Sequence, residues 1–298
     1  MMSDEQNHND NWFRKVGRTV YLIGEAVIFR HTIFSFPIAA CAILLESAGT
    51  PPLQKVILIL LAALAGRNAA NAMNRVIDAD IDRKNPRTAN RHIPKGELSK
   101  KSLLVFSLIM ILILIVCAIL LNPLCVILLP LAGFLMICYS YTKRFTWLCH
   151  YWLGIACAIA PMGAFIGLTG HFAFRYFVLA AAHALWVAGF DIIYAILDID
   201  FDRQEGLCSI PSRFGARAGR LLAFLSHIGA LVAYFLLPRF WPLSLWYYAA
   251  FAIAAVLLVT ENVIARGNSE RHIKLASYSI NEIVPIVILA GVAAGVYL

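Results

Sequence analysis

The stretch RNAANAMNRVIDADIDR at residues 67–83 has a counterpart, VAGFDIIYAILDIDFDR, at residues 187–203. Both end in the pattern Asp-x-Asp-x-Asp-Arg, and the two copies are separated by 120 residues. Seven of the nine aspartates of the chain lie in or beside these stretches. An acid near the centre of a bilayer costs roughly 2.5 to 3.5 kcal/mol, so acids in an apolar chain indicate a functional site in a cavity or at an interface.

The rest of the 298-residue chain is strongly apolar. It has 61% hydrophobic and 14% charged residues and a mean hydropathy of +0.75, whereas an ordinary soluble domain is roughly 45 to 50% apolar. A bilayer-spanning helix needs about 20 apolar residues. The apolar runs predict an all-α, polytopic membrane protein with nine transmembrane helices around a central cavity, at residues 27–46, 55–76, 102–121, 124–141, 150–169, 173–195, 218–238, 242–263 and 277–297.

The basic residues predict the orientation, because positive charge collects in short cytoplasmic loops. With the N-terminus inside, all of the 25 Lys and Arg lie on the cytoplasmic side except Lys55, Arg67, Arg175 and Arg239. Both acidic stretches then lie at the cytoplasmic ends of their spans. Topology and lipid contact account for the net charge of +8, so we expect the bilayer and no nucleic acid as a partner.

No linker rich in Ser, Pro or Gly divides the chain, so we expect a single domain over residues 1–298. Residues 1–19 form a polar cytoplasmic lead-in without the apolar core of a signal peptide. The 120-residue offset favours an internal duplication, in which spans one to four correspond to spans five to eight. The seven cysteines have no paired spacing typical of metal ligands and fit the pattern of small core residues.

Helical spacing divides each acidic stretch into two faces, because residues three or four apart lie on one face. The second span carries a polar stripe formed by Arg67, Asn71, Asn74, Asp78 and Asp82. The sixth span carries the matching stripe, formed by Asp191, Tyr194, Asp198 and Asp202. If the helices continue, the central Asp80 and Asp200 point away from these stripes.

Carboxylates gathered on one face repel each other unless a cation intervenes. Mg2+ prefers oxygen ligands and usually bridges one or two carboxylates to substrate phosphates. The stripes therefore predict two Mg2+ ions around a diphosphate. The predicted metal ligands are Asn74, Asp78, Asp82, Asp198 and Asp202, and Asp191 would assist them. Metal and cationic side chains would stabilise the charge that builds on a departing diphosphate.

Cationic residues follow each acidic stretch, as Arg83, Lys84, Arg87 and Arg91 and as Arg203, Arg213 and Arg217. Topology accounts for more than half of them. Lys143 and Arg144, in YSYTKRFTW at residues 139–147, form an isolated basic pair beside aromatic residues. We assign substrate binding to Asn71, Asn74, Arg67, Arg87, Lys143 and Arg144.

These residues resemble the motifs of the UbiA superfamily of intramembrane aromatic prenyltransferases. The family's first motif, Asn-x-x-x-Asp-x-x-x-Asp, is matched by Asn74, Asp78 and Asp82. Its second motif, Asp-x-x-Tyr-Ala-x-x-Asp-x-x-x-Asp, is matched by Asp191, Tyr194, Ala195, Asp198 and Asp202. The stretch from Tyr139 to Arg144 resembles the family's aromatic-basic signature, and Arg67 precedes Asn74 by seven residues, as in many members.

The resemblance implies Mg2+-dependent transfer of a polyprenyl group from its diphosphate to an aromatic acid of the 4-hydroxybenzoate type, in ubiquinone or menaquinone synthesis. It implies an inner cell membrane location and a cytoplasmic active-site mouth. Many members carry a Lys-Ser pair after the second motif, where this chain has Leu207, Cys208 and Ser209. This variant is similar to a subgroup assigned to menaquinone synthesis through the futalosine route, so a modified benzoate is an alternative acceptor.

Diphosphate departure leaves an allylic cation, which aromatic faces stabilise. Tyr194 belongs to the second motif and is assigned a catalytic role with Asp78, Asp82, Asp191, Asp198 and Asp202. Tyr139, Tyr141 and Phe190 are further candidates for the cavity wall, and ordinary packing explains them equally well. The acceptor ring would attack the cation and then lose a proton.

Acceptor binding has fewer candidates. Arg67, within the second span, would pair with an aromatic carboxylate or, alternatively, with a nearby Asn or backbone carbonyl. Arg30 and His31 at the start of the first span are further candidates. Glu46, Glu261 and Glu282 lack a second acid at metal spacing and receive no role.

Two other function classes use similar features. An ion-coupled transporter also has internal repeats and intramembrane acids, but it predicts inverted repeats and acids near the midplane. A lipid-headgroup transferase also uses aspartate motifs and metal, but it predicts a Gly-Ala-Arg element within one acidic motif, which this chain lacks. The location of the acids at one membrane face favours the prenyltransferase.

Overall fold

The computed structural model describes residues 17–27, 36–267 and 269–298, which form helices and contain no β-strand. The all-α prediction is therefore confirmed. The helices are α1 (17–26), α2 (Phe36–Ser47), α3 (Leu53–Ile77), α4 (Ala79–Lys84), α5 (Lys100–Leu121), α6 (Pro123–Thr142), α7 (Cys149–Thr169), α8 (Tyr176–Ala195), α9 (Ile199–Gln204), α10 (Ile210–Leu236), α11 (Leu245–Ile264), α12 (Glu270–Lys274) and α13 (Asn281–Tyr297). Short 3-10 helices span Ile196–Asp198 and Leu237–Arg239, and a π-helix spans Leu275–Ile280.

Within the described ranges, eight helical segments are long and apolar enough to cross a membrane. They confirm the second to the ninth predicted spans. The seventh and ninth helical segments begin about two turns before the predicted spans, because their first turns include polar residues that an apolar run leaves out. The first predicted span lies partly outside the described residues, as do Arg30 and His31. Its described part is the 12-residue α2. The protein is therefore a multi-pass membrane protein.

Each acidic stretch interrupts its helix at the first aspartate of the triplet. Helix α3 ends at Ile77, and Asp78 has φ −91° and ψ 0° before α4 begins. In the second stretch a 3-10 turn follows α8, and Asp198 has φ −107° and ψ 7°. Many active-site residues occupy this bridge region of backbone conformation. The helices therefore do not run unbroken through Asp82 and Asp202, contrary to the simplest form of the stripe pattern.

Helix α7 lies between the two helices that carry the acidic stretches and contacts both α3 and α8. Its Gly154 faces the backbone of α8, where an added Cβ would lie 2.3 Å from the carbonyl oxygen of Ala184. Small residues let membrane helices approach this closely. Helix α3 also packs along α5, and α8 packs along α10. This packing holds both acidic stretches at the same end of the helix bundle.

Candidate active site

Asp78 lies at the break after α3 and is almost fully buried. Lys143, just after α6, donates to its Oδ2 at 2.7 Å, and Arg144 lies 3.5 Å from its Oδ1. Asn74, one turn earlier, donates to the same Oδ2 at 2.8 Å and contacts Ser140 Oγ at 3.2 Å. The isolated basic pair is thus joined to the first motif.

Asp82 is the second buried acid of the first motif. Arg91 donates to its Oδ2 at 2.6 Å, and the hydroxyl of Thr88 donates to its backbone carbonyl at 3.0 Å. These contacts fold the loop after α4 back onto the motif. Since a buried carboxylate without a partner is strongly destabilising, Arg91 is the group that neutralises Asp82 in this structure.

Asp198 of the second motif is bonded by the loop that follows the first. Arg87 donates through Nε and Nη2 to its two carboxylate oxygens at 2.9 and 2.5 Å, and Asn85 donates to Oδ1 at 3.0 Å. The Arg87 guanidinium also donates to the Tyr194 hydroxyl, and its centre lies 4.6 Å from the centroid of that ring. The two acidic stretches, 120 residues apart in sequence, therefore belong to one site.

Asp202 is held by the start of α10. Ser209 donates to its Oδ2 at 2.8 Å, while Ser209 and Ser212 form a reciprocal capping box. The backbone N–H of Cys208 donates to the carbonyl oxygen of Lys143 at 2.6 Å. The segment that departs from the Lys-Ser pattern thus contributes a backbone bond to the basic pair.

Asp191 is held by a histidine. His150 Nδ1 lies 2.7 Å from Asp191 Oδ2, and the histidine side chain is only 4% exposed. The carboxylate itself is 28% exposed. Of the five motif acids, Asp191 and Asp202 are bonded by a histidine and a serine. Lysine or arginine pairs with the other three.

Asp80 and Asp200 are exposed. Lys100 pairs with Asp80 at 3.0 Å on the surface, and its hydrogen bond and charge lower the pKa of that carboxyl. The central aspartate of each triplet therefore lies outside the cluster of buried acids.

Arg67 and Asn71 lie further along α3 and differ in their surroundings. Asn71 donates to the carbonyl oxygen of Val27 at 3.0 Å, so it contacts the end of α1. The Nε atom of Arg67 is buried and has no hydrogen-bond partner among the described residues. Neither an Asn nor a carbonyl bonds this atom, which leaves it able to donate to a bound molecule.

A cavity of about 290 Å³ opens beside the first motif. It is lined by Glu25, Ala26, Arg75, Asp82, Arg87, Thr88, Arg91, His92, Ile93, Pro94, Tyr194 and Lys274. Four of these residues are Lys or Arg and two are acids, so the cavity suits an anion. Of the other candidate wall residues, Tyr141 is 40% exposed beneath Arg144, and Phe190 packs against Trp186.

Two residues outside the recognised sequence motifs contact the motif acids, namely Asn85 and His150, and Ser140 contacts Asn74. Asn85 follows Asp82 by three residues, and this helical spacing is the available signal. Ser140 lies within the aromatic-basic stretch. No sequence pattern marks His150 as an active-site residue, because a lone histidine at the start of an apolar run is more often a packing residue than a functional one.

The donor set fits Mg2+, which prefers oxygen ligands. The candidate ligands offer carboxylate and amide oxygens only, from Asn74, Asp78, Asp82, Asp198 and Asp202. Among the described residues, no three His, Cys, Asp or Glu side chains lie close enough together to hold a metal ion. Instead, Lys143, Arg91 and Arg87 pair with three of the acids. If these acids are the metal ligands, they would have to exchange protein cations for the metal.

Comparisons with known proteins agree with this architecture. The model of the UbiA prenyltransferase family matches residues 35–281. A 4-hydroxybenzoate octaprenyltransferase of Vesicomyosocius okutanii subsp. Calyptogena okutanii (strain HA) is 27% identical over 255 residues, which are 86% of this chain and 93% of that protein. The apo structure of a UbiA homolog from Aeropyrum pernix K1 has a TM-score of 0.82 at 32% identity, covering 88% of this chain and 96% of that one.

A UbiA homolog from Archaeoglobus fulgidus bound to GPP and Mg2+ shares the fold, with a TM-score of 0.63 at 14% identity over 91% of this chain and 99% of that one. The family match spans most of the chain, including both acidic stretches. The chain therefore belongs to the UbiA prenyltransferase family, and it is a prenyltransferase.

Proposed function

We propose that this protein transfers a polyprenyl group from its diphosphate to an aromatic acid of the 4-hydroxybenzoate type, with Mg2+, in quinone biosynthesis. The observation that carries the proposal is the bonding of Asn85 and Arg87 to Asp198, which joins both acidic motifs and a guanidinium in one site. The name of the Vesicomyosocius okutanii relative supports the acceptor and an octaprenyl donor. The GPP and Mg2+ bound to the Archaeoglobus fulgidus homolog support the donor class and the metal.

Substrate binding would proceed by exchange of ion pairs. The metal ligands would be Asn74, Asp78, Asp82, Asp198 and Asp202, and bound Mg2+ would neutralise charge on the departing diphosphate. Lys143, Arg144 and Arg87, released from the acids that they contact in this structure, would then bind phosphate oxygens. Arginine suits this task because its fork donates to two phosphate oxygens at once.

The reaction breaks the C1–O bond of the polyprenyl diphosphate, and the diphosphate leaves with the electron pair. The resulting allylic cation lies beside the Tyr194 ring, whose face stabilises positive charge. The electron-rich acceptor ring attacks C1 and forms the new C–C bond. The ring then releases its proton to the carboxylate of Asp191, which is partly exposed and pairs with no lysine or arginine, and the ring regains aromaticity.

The acceptor carboxylate would be bound by Arg67. Its buried Nε atom has no partner among the described residues, and burying a polar group without a hydrogen bond is unfavourable. Arg67 precedes Asp78 by 11 residues in sequence, which is about 16 Å along a helix. An aromatic acid and the C1 end of the donor fit end to end in such an interval.

The test uses the purified protein in lipid nanodiscs with Mg2+, octaprenyl diphosphate and 4-hydroxybenzoate. Diphosphate release and the mass of the prenylated ring are measured together. Asp78→Ala and Asp198→Ala should abolish turnover, whereas Asp80→Ala and Asp200→Ala, which remove the same charge from the same triplets, should retain it. No product with any aromatic acid, or full turnover in both Asp78→Ala and Asp198→Ala, contradicts the proposal.

A panel of acceptors tests the alternative substrates. Reaction with a larger, modified benzoate in preference to 4-hydroxybenzoate would support the futalosine-route alternative. Mg2+-independent ion flux through proteoliposomes, without any prenylated product, would instead support a transporter.

We also propose an inner-membrane location with a cytoplasmic N-terminus and a cytoplasmic mouth of the site. Cys208 lies beside the site, so thiol labelling that wild type shows and Cys208→Ser lacks reports the side of the membrane that the site faces. Labelling of Cys208 from the cytoplasmic side supports this orientation, and labelling from the opposite side contradicts it.

A further inference from the structure

His150 bridges two parts of the candidate active site. Its ring lies in the first turn of α7, with Nδ1 2.7 Å from Asp191 Oδ2. Its Nε2 lies 3.4 Å from the backbone nitrogen of Ile210, the first residue of α10. The preceding residue, Ser209, holds Asp202. A single buried ring thus connects both acids of the second motif that have no lysine or arginine partner.

The contacts of the ring define its tautomer. A backbone N–H can only donate, so Nε2 accepts from Ile210 and carries no proton. The proton is then on Nδ1 and is donated to Asp191. The thiol of the neighbouring Cys149 donates elsewhere, to the carbonyl oxygen of Cys208 at 3.4 Å. In this geometry the ring donates through Nδ1 to Asp191 and accepts through Nε2 from Ile210.

Asp191 pairs with His150 and with no lysine or arginine among the described residues. The other oxygen of this carboxylate, Oδ1, has no hydrogen bond from any described residue. Asp191 precedes Asp198 by seven residues in sequence, or about 10 Å along a helix. If the diphosphate is bound at the motifs, as proposed above, this carboxylate lies on the side where the reacting carbons are held.

We propose that His150 is a positioning residue that holds Asp191 and the start of α10 in one fixed geometry. One bond orients the carboxylate, so that its free oxygen is directed at the acceptor ring. The other bond ties this carboxylate to the segment that holds Asp202. The inference rests on the proposed function for its consequence in turnover, but its structural content is independent of it.

The kinetic test compares two substitutions of His150. His150→Leu should lower kcat about 10- to 100-fold, the usual effect of losing a residue that orients an active-site ligand, with the KM for the polyprenyl diphosphate changed less than about threefold. His150→Asn, which keeps a donor near the Nδ1 position, should recover a large part of the loss. In an Asp191→Ala background, His150→Leu should lower kcat by less than about a further twofold, because the effects of residues that act through each other are not additive.

Tyr151→Phe is the matched control. It removes a 3.0 Å hydrogen bond between α7 and α10, from Tyr151 to Ser226, and leaves the contacts of Asp191 intact. It should leave kcat within about twofold of wild type, as expected for a site that does not couple to the chemistry. Equal losses from His150→Leu with and without Asp191, or the same kinetic change in Tyr151→Phe, would overturn the proposal in favour of a purely structural role.

A spectroscopic measurement separates this inference from the proposed function. In protein labelled with 15N-histidine, the His150 signal is assigned by its loss in His150→Asn. It should report a neutral ring with the proton on Nδ1. A doubly protonated ring, or the tautomer protonated on Nε2, would overturn the inference. If wild-type protein gives no prenylated product, the proposed function fails, and the tautomer alone decides whether the positioning geometry is right.

Discussion

Arg87→Ala should weaken turnover and tighten Mg2+ binding at the same time. In this structure the Arg87 guanidinium donates to both carboxylate oxygens of Asp198. If Asp198 is a metal ligand, as proposed, Mg2+ would have to displace Arg87. Breaking a fully buried ion pair costs about 3 to 5 kcal/mol. These two side chains are 21% and 14% exposed, and solvent screening reduces the competition to about 1 to 2 kcal/mol. At 1.4 kcal/mol per tenfold, the Kd for Mg2+ should fall about 5- to 30-fold.

Turnover should change in the opposite direction, because in the proposed mechanism Arg87 would also donate to the departing diphosphate. Loss of one such preorganised donor lowers kcat about 10²- to 10³-fold. Isothermal titration with Mg2+ alone measures the first effect, and diphosphate release measures the second. Arg83→Ala removes the same charge from an exposed position nearby and should leave both nearly unchanged. If Mg2+ binds Arg87→Ala no more tightly than Arg83→Ala, the competition between Arg87 and the metal is refuted.

Two further predictions concern packing and surface charge. Gly154→Ala should destabilise the protein by about 1 to 3 kcal/mol through the clash with α8, seen as a lower thermal midpoint in detergent. Gly163→Ala, on the same helix with open space around its added Cβ, should leave the protein as stable or stabilise it by up to about 1 kcal/mol. Equal loss of stability in both variants would contradict the close approach. Lys100→Ala should raise the pKa of Asp80 towards its ordinary value, since the Lys100 hydrogen bond and charge lower it. A lowered carboxyl pKa stabilises the fold above the unfolded pKa of about 3.9, and this stabilisation is lost as pH falls through the lowered pKa. An NMR titration of the Asp80 carboxyl measures the shift, and an unshifted pKa contradicts the role of Lys100.

The sequence predicts the membrane helices well because their signal is local. Runs of apolar residues long enough to cross a bilayer predict nine spans, and the described residues confirm eight of them. The backbone breaks at Asp78 and Asp198 are not visible in the same signal. A periodic pattern specifies which residues share a helical face, but it does not specify where a polar residue stops the helix.

The contacts of the candidate site depend on long-range packing. Arg87 meets Asp198 across 111 residues, and His150 meets Asp191 across 41. No local spacing encodes either pair. The sequence predicts the motif acids as a stripe on a helix face. It does not predict their partners, which depend on helix packing such as that of α7 between α3 and α8.

Protein cations pair with three acids of the candidate site. Asp78, Asp82 and Asp198 have lysine or arginine partners, so the charge of these three acids is balanced within the protein. Mg2+ alone would take the acids and leave those cations without partners. Diphosphate alone would take the cations and leave the acids unpaired. Under the proposed function, each ligand would release the groups that the other binds, and their binding would be coupled reciprocally. Such a site would favour the metal–diphosphate complex over either component.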